Sequence, residues 1–111
     1  MKRYYPKRGD VVWVSLDPAL GHEQNGRRPV VVLSPEEYNC RTGIFVCCPI
    51  STKVKGYQFE VAISSNGIVG VVQADQIRTL DWITRQIKYH GVINSETLLQ
   101  VQARIVALIT K

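Results

Sequence analysis

This 111-residue chain has no apolar run approaching the length of a membrane-crossing helix. Its opening, "MKRYYPKRGD", is charged and has no apolar segment behind it, so it does not read as a secretory signal. The expectation is a soluble, cytoplasmic protein with no membrane partner. Metal-ligating residues are sparse. The two histidines, His22 and His90, are far apart, and Cys40, Cys47 and Cys48 form no Cys-x-x-Cys pair. That spacing argues against a zinc site, and no metal or other cofactor is expected. Cys47 and Cys48 are adjacent, and adjacent strand residues face opposite ways, so they are poor disulfide partners. All three cysteines read as small buried hydrophobes in a reducing compartment. Internal repeats, linkers and low-complexity segments are also missing. "GHEQNG" lacks the Gly-Lys-Ser/Thr ending of a phosphate loop.

What the chain does contain is an ordinary globular balance, 45% apolar and 21% charged residues, over the length of one domain, residues 1–111. Fourteen Lys and Arg against nine Asp and Glu leave a formal charge of +5, which leans toward an anionic partner. Short runs rich in Val and Ile read as strands: Val11 to Leu16, Val30 to Leu33, Ile44 to Ile50, Phe59 to Ile63, Ile68 to Ala74 and, more weakly, Trp82 to Val92. Turn signals at Asn25–Gly26, Thr42–Gly43, Lys55 to Tyr57 and Ser64 to Gly67 separate them. "SPEE" from Ser34 predicts a helix of a turn or two, with Ser34 as its cap. In "NSETLLQVQARIVALIT", Leu98, Val101, Ile105 and Leu108 share one stripe and predict a longer C-terminal helix. Val106 and Ile109 widen its apolar surface, toward either the core or a second subunit. The predicted fold is mainly β: a small bent barrel of about five to seven strands with short helices and a C-terminal α-helix.

Chemistry-bearing residues gather in three places. The loop Asp17–Pro29, "DPALGHEQNGRRP", carries His22, Glu23, Gln24, Arg27 and Arg28. "PISTKVKGY" carries Ser51, Thr52, Lys53, Lys55 and Tyr57. "QADQIRT" carries Asp75, Gln76 and Arg78. Each lies at the end of an apolar run, so a meeting of the three ends makes a polar pocket. Such a pocket suits metal-free cleavage of RNA, whose 2′-hydroxyl is its own nucleophile. The protein then removes one proton, stabilises a phosphorane-like charge and helps the 5′-oxygen leave. An arginine fork matches phosphate oxygens, and a carboxylate or histidine serves as base. Each residue also has an ordinary structural reading. Arg27, Arg28 and Glu23 read as surface charges, His22 as a loop histidine, and Asp75, Ser51 and Thr52 as turn residues. Trp13 and Trp82 read as core, while Tyr57 is able to stack on a base.

The order of motifs resembles the MazF/PemK family of bacterial toxin endoribonucleases almost end to end. "RGDVVWVSLDP" and "GHEQNGRRPVVVLSP" are followed by "YNCRTG", "CCPIST", "KGYQFEV" and "GVVQADQIRTLD". The resemblance implies an SH3-like (CcdB/PemK-like) barrel acting as a homodimer. It implies a ribosome-independent messenger-RNA interferase, cutting single-stranded RNA at preferred sequences. Cutting needs no metal and leaves 2′,3′-cyclic phosphate and 5′-hydroxyl ends. An acidic, disordered antitoxin is the implied protein partner.

By position, Arg28 matches the family's central catalytic arginine, Ser51 its catalytic threonine position, and Thr52 the threonine beside it. Glu23 matches a loop glutamate linked to activity, His22 a histidine of the plasmid-borne branch, and Asp75 that branch's proposed base. That branch's arginine two positions before the base is Gln73 here. The base is therefore Glu23 or Asp75, with His22 assisting. Arg27, Thr52, Lys53, Lys55, Tyr57, Gln76 and Arg78 are expected to line the RNA groove. Two rival readings are a topoisomerase poison of the CcdB type and a non-catalytic SH3-like binding module. The first needs no RNA site. The second needs an aromatic-lined groove, which nine aromatic residues, several of them core, supply poorly.

Overall fold

The computed structural model describes residues 3–15 and 27–111. Its elements are β1 (Asp10–Ser15), β2 (Arg27–Val32), α1 (Glu36–Thr42), β3 (Ile44–Ser51), β4 (Glu60–Ser65), β5 (Ile68–Gln73), β6 (Arg78–Asp81), β7 (Lys88–Val92) and α2 (Ser95–Thr110). All strand pairs are antiparallel, in the order β4-β5-β3-β2-β1-β7, with β6 also on β3. β3 is the node. β2 pairs with its middle through Val30↔Pro49 to Val32↔Cys47. β6 takes its first half, Ile44 to Cys47, and β5 its end, at Ile50 and Ser51. The mainly β class with a terminal helix follows the expectation. The weak run Trp82 to Val92 is not one strand, however, but a turn leading into β7.

The apolar runs do not alternate with polar residues because the central strands are buried on both faces. One core holds Val11, Val31, Cys48, Ile50, Val61, Ile63 and Val72. The other holds Val12, Val14, Val30, Val32, Phe45, Cys47, Leu80 and Trp82. Each pair of adjacent residues, Val11–Val12 or Cys47–Cys48, thus supplies one side chain to each core. Burial pushes both thiols up to about 12, the neighbouring thiol adding to the effect at Cys47 and Asp75 to that at Cys48. Cys40 corrects the expectation that all three are buried: it is exposed on α1.

α1 is short, as its sequence predicts, and ends at Gly43, whose φ of 75° is the left-handed conformation glycine adopts without penalty. Ser34 does not cap it. Its hydroxyl instead accepts from Val46 N–H and donates to the buried Asn39 Oδ1. Asn39 Nδ2 donates to the carbonyls of Pro6 and Ser34, and Trp82 Nε1 donates to the Asn39 carbonyl. A second buried polar group, Asp10, accepts from the Tyr4 hydroxyl and from Lys7 N–H. Burial, then that hydrogen bond, holds the Tyr4 phenol well above its usual range.

α2 begins at Asn94, whose side chain accepts from Thr97 N–H at 2.8 Å. Val101 is its buried residue, and Leu98 and Ile105 pack beside it on the first core. Leu108, expected on that stripe, is exposed, as are Leu99, Val106 and Ile109. No helix among the described residues is long and apolar enough to cross a membrane.

Candidate functional site

The polar strand ends do meet. They line a groove of about 950 Å³ that takes residues from all three segments singled out in the sequence. Arg27, Arg28 and Pro29 come from the start of β2. Pro49, Ile50, Ser51, Thr52 and Lys53 come from the end of β3 and beyond. Gln73, Gln76 and Arg78 come from the end of β5 and the start of β6. The convergence follows from register. β2 and β3 pair as far as Val30↔Pro49, and Arg28 and Ser51 lie two residues beyond that pair on their strands, at the same end of the sheet. On the other edge of β2, Arg28 faces Val14 of β1. Arg28 is exposed, and its Nη1 donates to the Arg27 carbonyl at 3.1 Å.

Ser51 is held by its own turn. Its Oγ accepts from Lys53 N–H at 3.0 Å and lies 3.4 Å from the Lys53 carbonyl. The hydroxyl proton has only that long contact, so it can rotate toward a bound oxygen. The backbone of Ser51 rests on Gly70 of β5. A Cβ at Gly70 would sit 2.2 Å from the Ser51 carbonyl oxygen. Only glycine permits the two strands to meet so closely there.

Other expected site residues fall elsewhere. Asp75, Lys55 and Tyr57 are not among the groove's lining residues. Asp75 is exposed and accepts from the Tyr57 hydroxyl at 3.1 Å. Partial desolvation and that bond raise the Tyr57 phenol above its ordinary value. Lys55 sits in a turn whose N–H groups, with that of Gly56, are gathered by the Glu60 carboxylate. His22, Glu23 and Gln24 lie outside the described residues.

The groove also contains residues that sequence reasoning gave no role. Trp13, read as core, is only half-buried and lines the groove beside Asn66 and His90. His90 gets there through a bulge. β1 and β7 pair as Val11↔Gly91 and then Val12↔Tyr89, which leaves His90 as the extra residue. Bulges of this kind re-aim side chains next to functional sites. Asn66 enters from the β4–β5 hairpin, where Asn66–Gly67 turns with φ of 46° and 90°. That turn was legible as "SSNG"; its arrival beside β7 was not. A smaller cleft of about 350 Å³ continues past Trp13 and His90 to Arg27, Lys88 and Tyr89. Among the described residues, no three His, Cys, Asp or Glu side chains converge as a metal-binding group.

The groove is cationic and rich in hydroxyl and amide groups, a surface suited to a phosphodiester chain. Comparison with known proteins gives the same direction. Residues 7–109 match the family described as PemK-like, MazF-like toxin of type II toxin–antitoxin system. The chain is 44% identical to the endoribonuclease toxin MazF of Escherichia coli K12 over 98% of both chains. It is 34% identical to the endoribonuclease PemK of Escherichia coli, over 94% of this chain and 82% of that one. Among solved structures, the crystal structure of MazF from Deinococcus radiodurans superposes with a TM-score of 0.87 at 40% identity, covering 98% of this chain and all of that one. The MazE–MazF crystal structure from the same organism matches with the same TM-score at 35% identity, over 98% of this chain and 100% of that one.

Proposed function

The chain belongs to the PemK-like, MazF-like toxins of type II toxin–antitoxin systems, and from that premise we propose that it is an endoribonuclease whose reaction runs in the groove between β2, β3 and β5. The observation that carries the reading is that Arg28 and Ser51 line one cationic groove. The endoribonuclease names of its relatives support it.

The substrate is single-stranded RNA. The ribose 2′-oxygen attacks the adjacent phosphorus while a base removes its proton, and the P–O5′ bond breaks as the departing O5′ takes a proton from water. The products are a 2′,3′-cyclic phosphate and a 5′-hydroxyl, and no metal is needed because the nucleophile is internal to the substrate. Arg28 supplies charge to the phosphorane-like transition state. A guanidinium is too weak an acid to donate a proton readily but forks well onto two phosphate oxygens. Ser51 turns its hydroxyl from the Lys53 carbonyl to a phosphate oxygen. Glu23 or Asp75 is the base and His22 assists it. Arg27, Thr52, Lys53, Gln76 and Arg78 hold the strand along the groove, and Lys55 and Tyr57 flank it.

The partner is an acidic antitoxin that covers this basic groove, a reading supported by the MazE–MazF complexes among its structural neighbours. Homodimerisation is supported by the apolar residues Leu99, Val106 and Ile109 left exposed on α2. The cytoplasm, where messenger RNA is translated, is the compartment this activity requires.

The test is incubation of the pure protein with mixed-sequence single-stranded RNA in excess chelator, followed by mapping of the ends. Cutting with cyclic-phosphate ends is expected. Arg28→Ala should lower the rate by about 100-fold or more, the scale of losing one transition-state charge donor, with an unchanged melting temperature. Cutting only with added magnesium, or wild-type rates from Arg28→Ala, would refute the mechanism.

A further inference from the structure

Trp13 and His90 line both the main groove and the side cleft, so the pair forms the wall between them. Their rings meet edge to face, 5.9 Å apart at 76°. The hydrogen bonds settle which nitrogen of His90 does what. An indole N–H only donates, so His90 Nδ1 accepts from Trp13 Nε1 at 3.1 Å. Nε2 then carries the proton and faces the Asn66 carbonyl at 2.9 Å and the Ser65 carbonyl at 3.2 Å. Both ring nitrogens are thus occupied in the neutral imidazole, which leaves no lone pair for proton transfer. His90 is not placed to be the base.

The backbone around it is built for this arrangement. The bulge sets His90 out of register with β1. Gly91 makes room for Asn66: a Cβ there would lie 2.5 Å from Asn66 Nδ2. That amide in turn donates to the His90 carbonyl at 3.1 Å. Two strands and a hairpin therefore converge to hold one imidazole, and that imidazole holds one indole at the edge of the groove. Trp82, the other tryptophan, is buried and hydrogen-bonded within the core.

We propose that His90 is a positioning residue for RNA: it locks the Trp13 indole as a stacking wall for an unpaired base that flanks the cut. Stacking on an aromatic face is tolerant of base identity and needs a fixed ring more than a particular hydrogen bond. Arg27, which lines both clefts beside the pair, and Lys88 in the side cleft supply cations for the phosphate that follows such a base. The proposal rests on the reading of the groove as an RNA site.

The experiment measures KM and kcat on the RNA whose cut site has been mapped, and Kd for the same strand with a 2′-deoxyribose at that site. Trp13→Ala should weaken binding about tenfold, the scale of one lost base stack, with kcat at saturation kept. His90→Leu should do much of the same through KM alone. His90→Asn keeps an acceptor where Nδ1 stood and should stay near wild type. His90→Gln reaches toward the carbonyls instead and should resemble His90→Leu. In the Trp13→Ala background, His90→Leu should add nothing further. Additive effects, a loss confined to kcat, or an Asn variant as weak as the Leu variant would overturn the assignment, since a merely structural histidine gives those results. A wild-type protein that neither binds nor cuts RNA overturns the groove reading itself, and that outcome is visible before any variant is made.

Discussion

At the scale of single residues, the buried polar groups explain more than the exposed charges do. Asn39 is fully buried, yet its side chain bonds to Ser34 and Pro6 and its carbonyl receives Trp82. It ties the N-terminal segment, α1, β3 and the segment after β6 at one point. Removing the amide strands the Ser34 hydroxyl and the Pro6 carbonyl in the core. Asn39→Ala should therefore cost about 3 kcal/mol, within the range for breaking a buried network, read as a shift in urea midpoint. Cutting by the folded variant should persist, because Asn39 is not among the groove's lining residues. The cysteines give a second residue-scale prediction. A thiol reagent at neutral pH should modify Cys40 in the native protein and all three thiols after denaturation.

The same burial makes stability depend on alkaline pH. Cys47 and Cys48 ionise at about 12 when folded, against an ordinary value of 9.0. A raised folded value means that the unfolded state loses its thiol protons first. The contribution is complete below about pH 9 and is lost as pH rises toward about 12. Unfolding followed across that window should show the loss, and Cys47→Ala should flatten it while lowering stability at neutral pH.

Among the elements, β3 organises the site, because three strands pair along its length and its end presents Ser51. The close approach at Gly70 is the contact that sets where this end lies. Gly70→Ala places a methyl carbon 2.2 Å from the Ser51 carbonyl oxygen. The strands must separate, at a cost of about 1–3 kcal/mol for an overpacked contact, and Ser51 must shift with them. A shift of about 1 Å in a reacting group lowers turnover on the order of 100-fold. The expected result is a folded variant with a modest drop in melting temperature and a far larger drop in kcat. Wild-type turnover would mean that Ser51 is not positioned through Gly70. Other elements read cleanly from the sequence. The "SSNG" hairpin and the short α1 with its glycine stop are local chemistry, and each lies where that chemistry points. The segment from Arg78 to Val92 does not, because β6 is a four-residue strand and β7 begins only after a turn closed by Asp81. Backbone and side-chain donors from Thr84, then Ile83, hold the Asp81 carboxylate below its ordinary value. Neither short strand carries enough apolar pattern to announce itself.

For the whole molecule, the number of groove cations that meet phosphates, rather than the net charge of +5, sets how strongly salt should govern RNA binding. Lys53 and Arg78 line the groove and both are exposed. If each neutralises one phosphate, either alanine variant should lessen the slope of log affinity against log salt by about 0.7, the single-strand value per contact. Filter binding from low to moderate salt checks this. An unchanged slope would place those cations off the path of the strand.

Sequence alone determined the class and the candidate groups: short Val-rich runs divided by turn residues, an amphipathic C-terminal helix, and an arginine and a hydroxyl at the ends of apolar runs. These are local patterns, because strand propensity, turn conformation and capping act over a few residues. The family motifs carried that reading to an RNA-cutting toxin. Only the tertiary structure decided that Arg28 and Ser51 line one groove, since that depends on the pairing of two strands with a helix between them. It also decided that Trp13, packed against the first core, lines the groove as well, and that His90 reaches it. A bulge in β7, a close approach at Gly91 and the β4–β5 hairpin bring His90, Trp13 and Asn66 together from three distant parts of the chain. No local pattern in the sequence encodes that meeting.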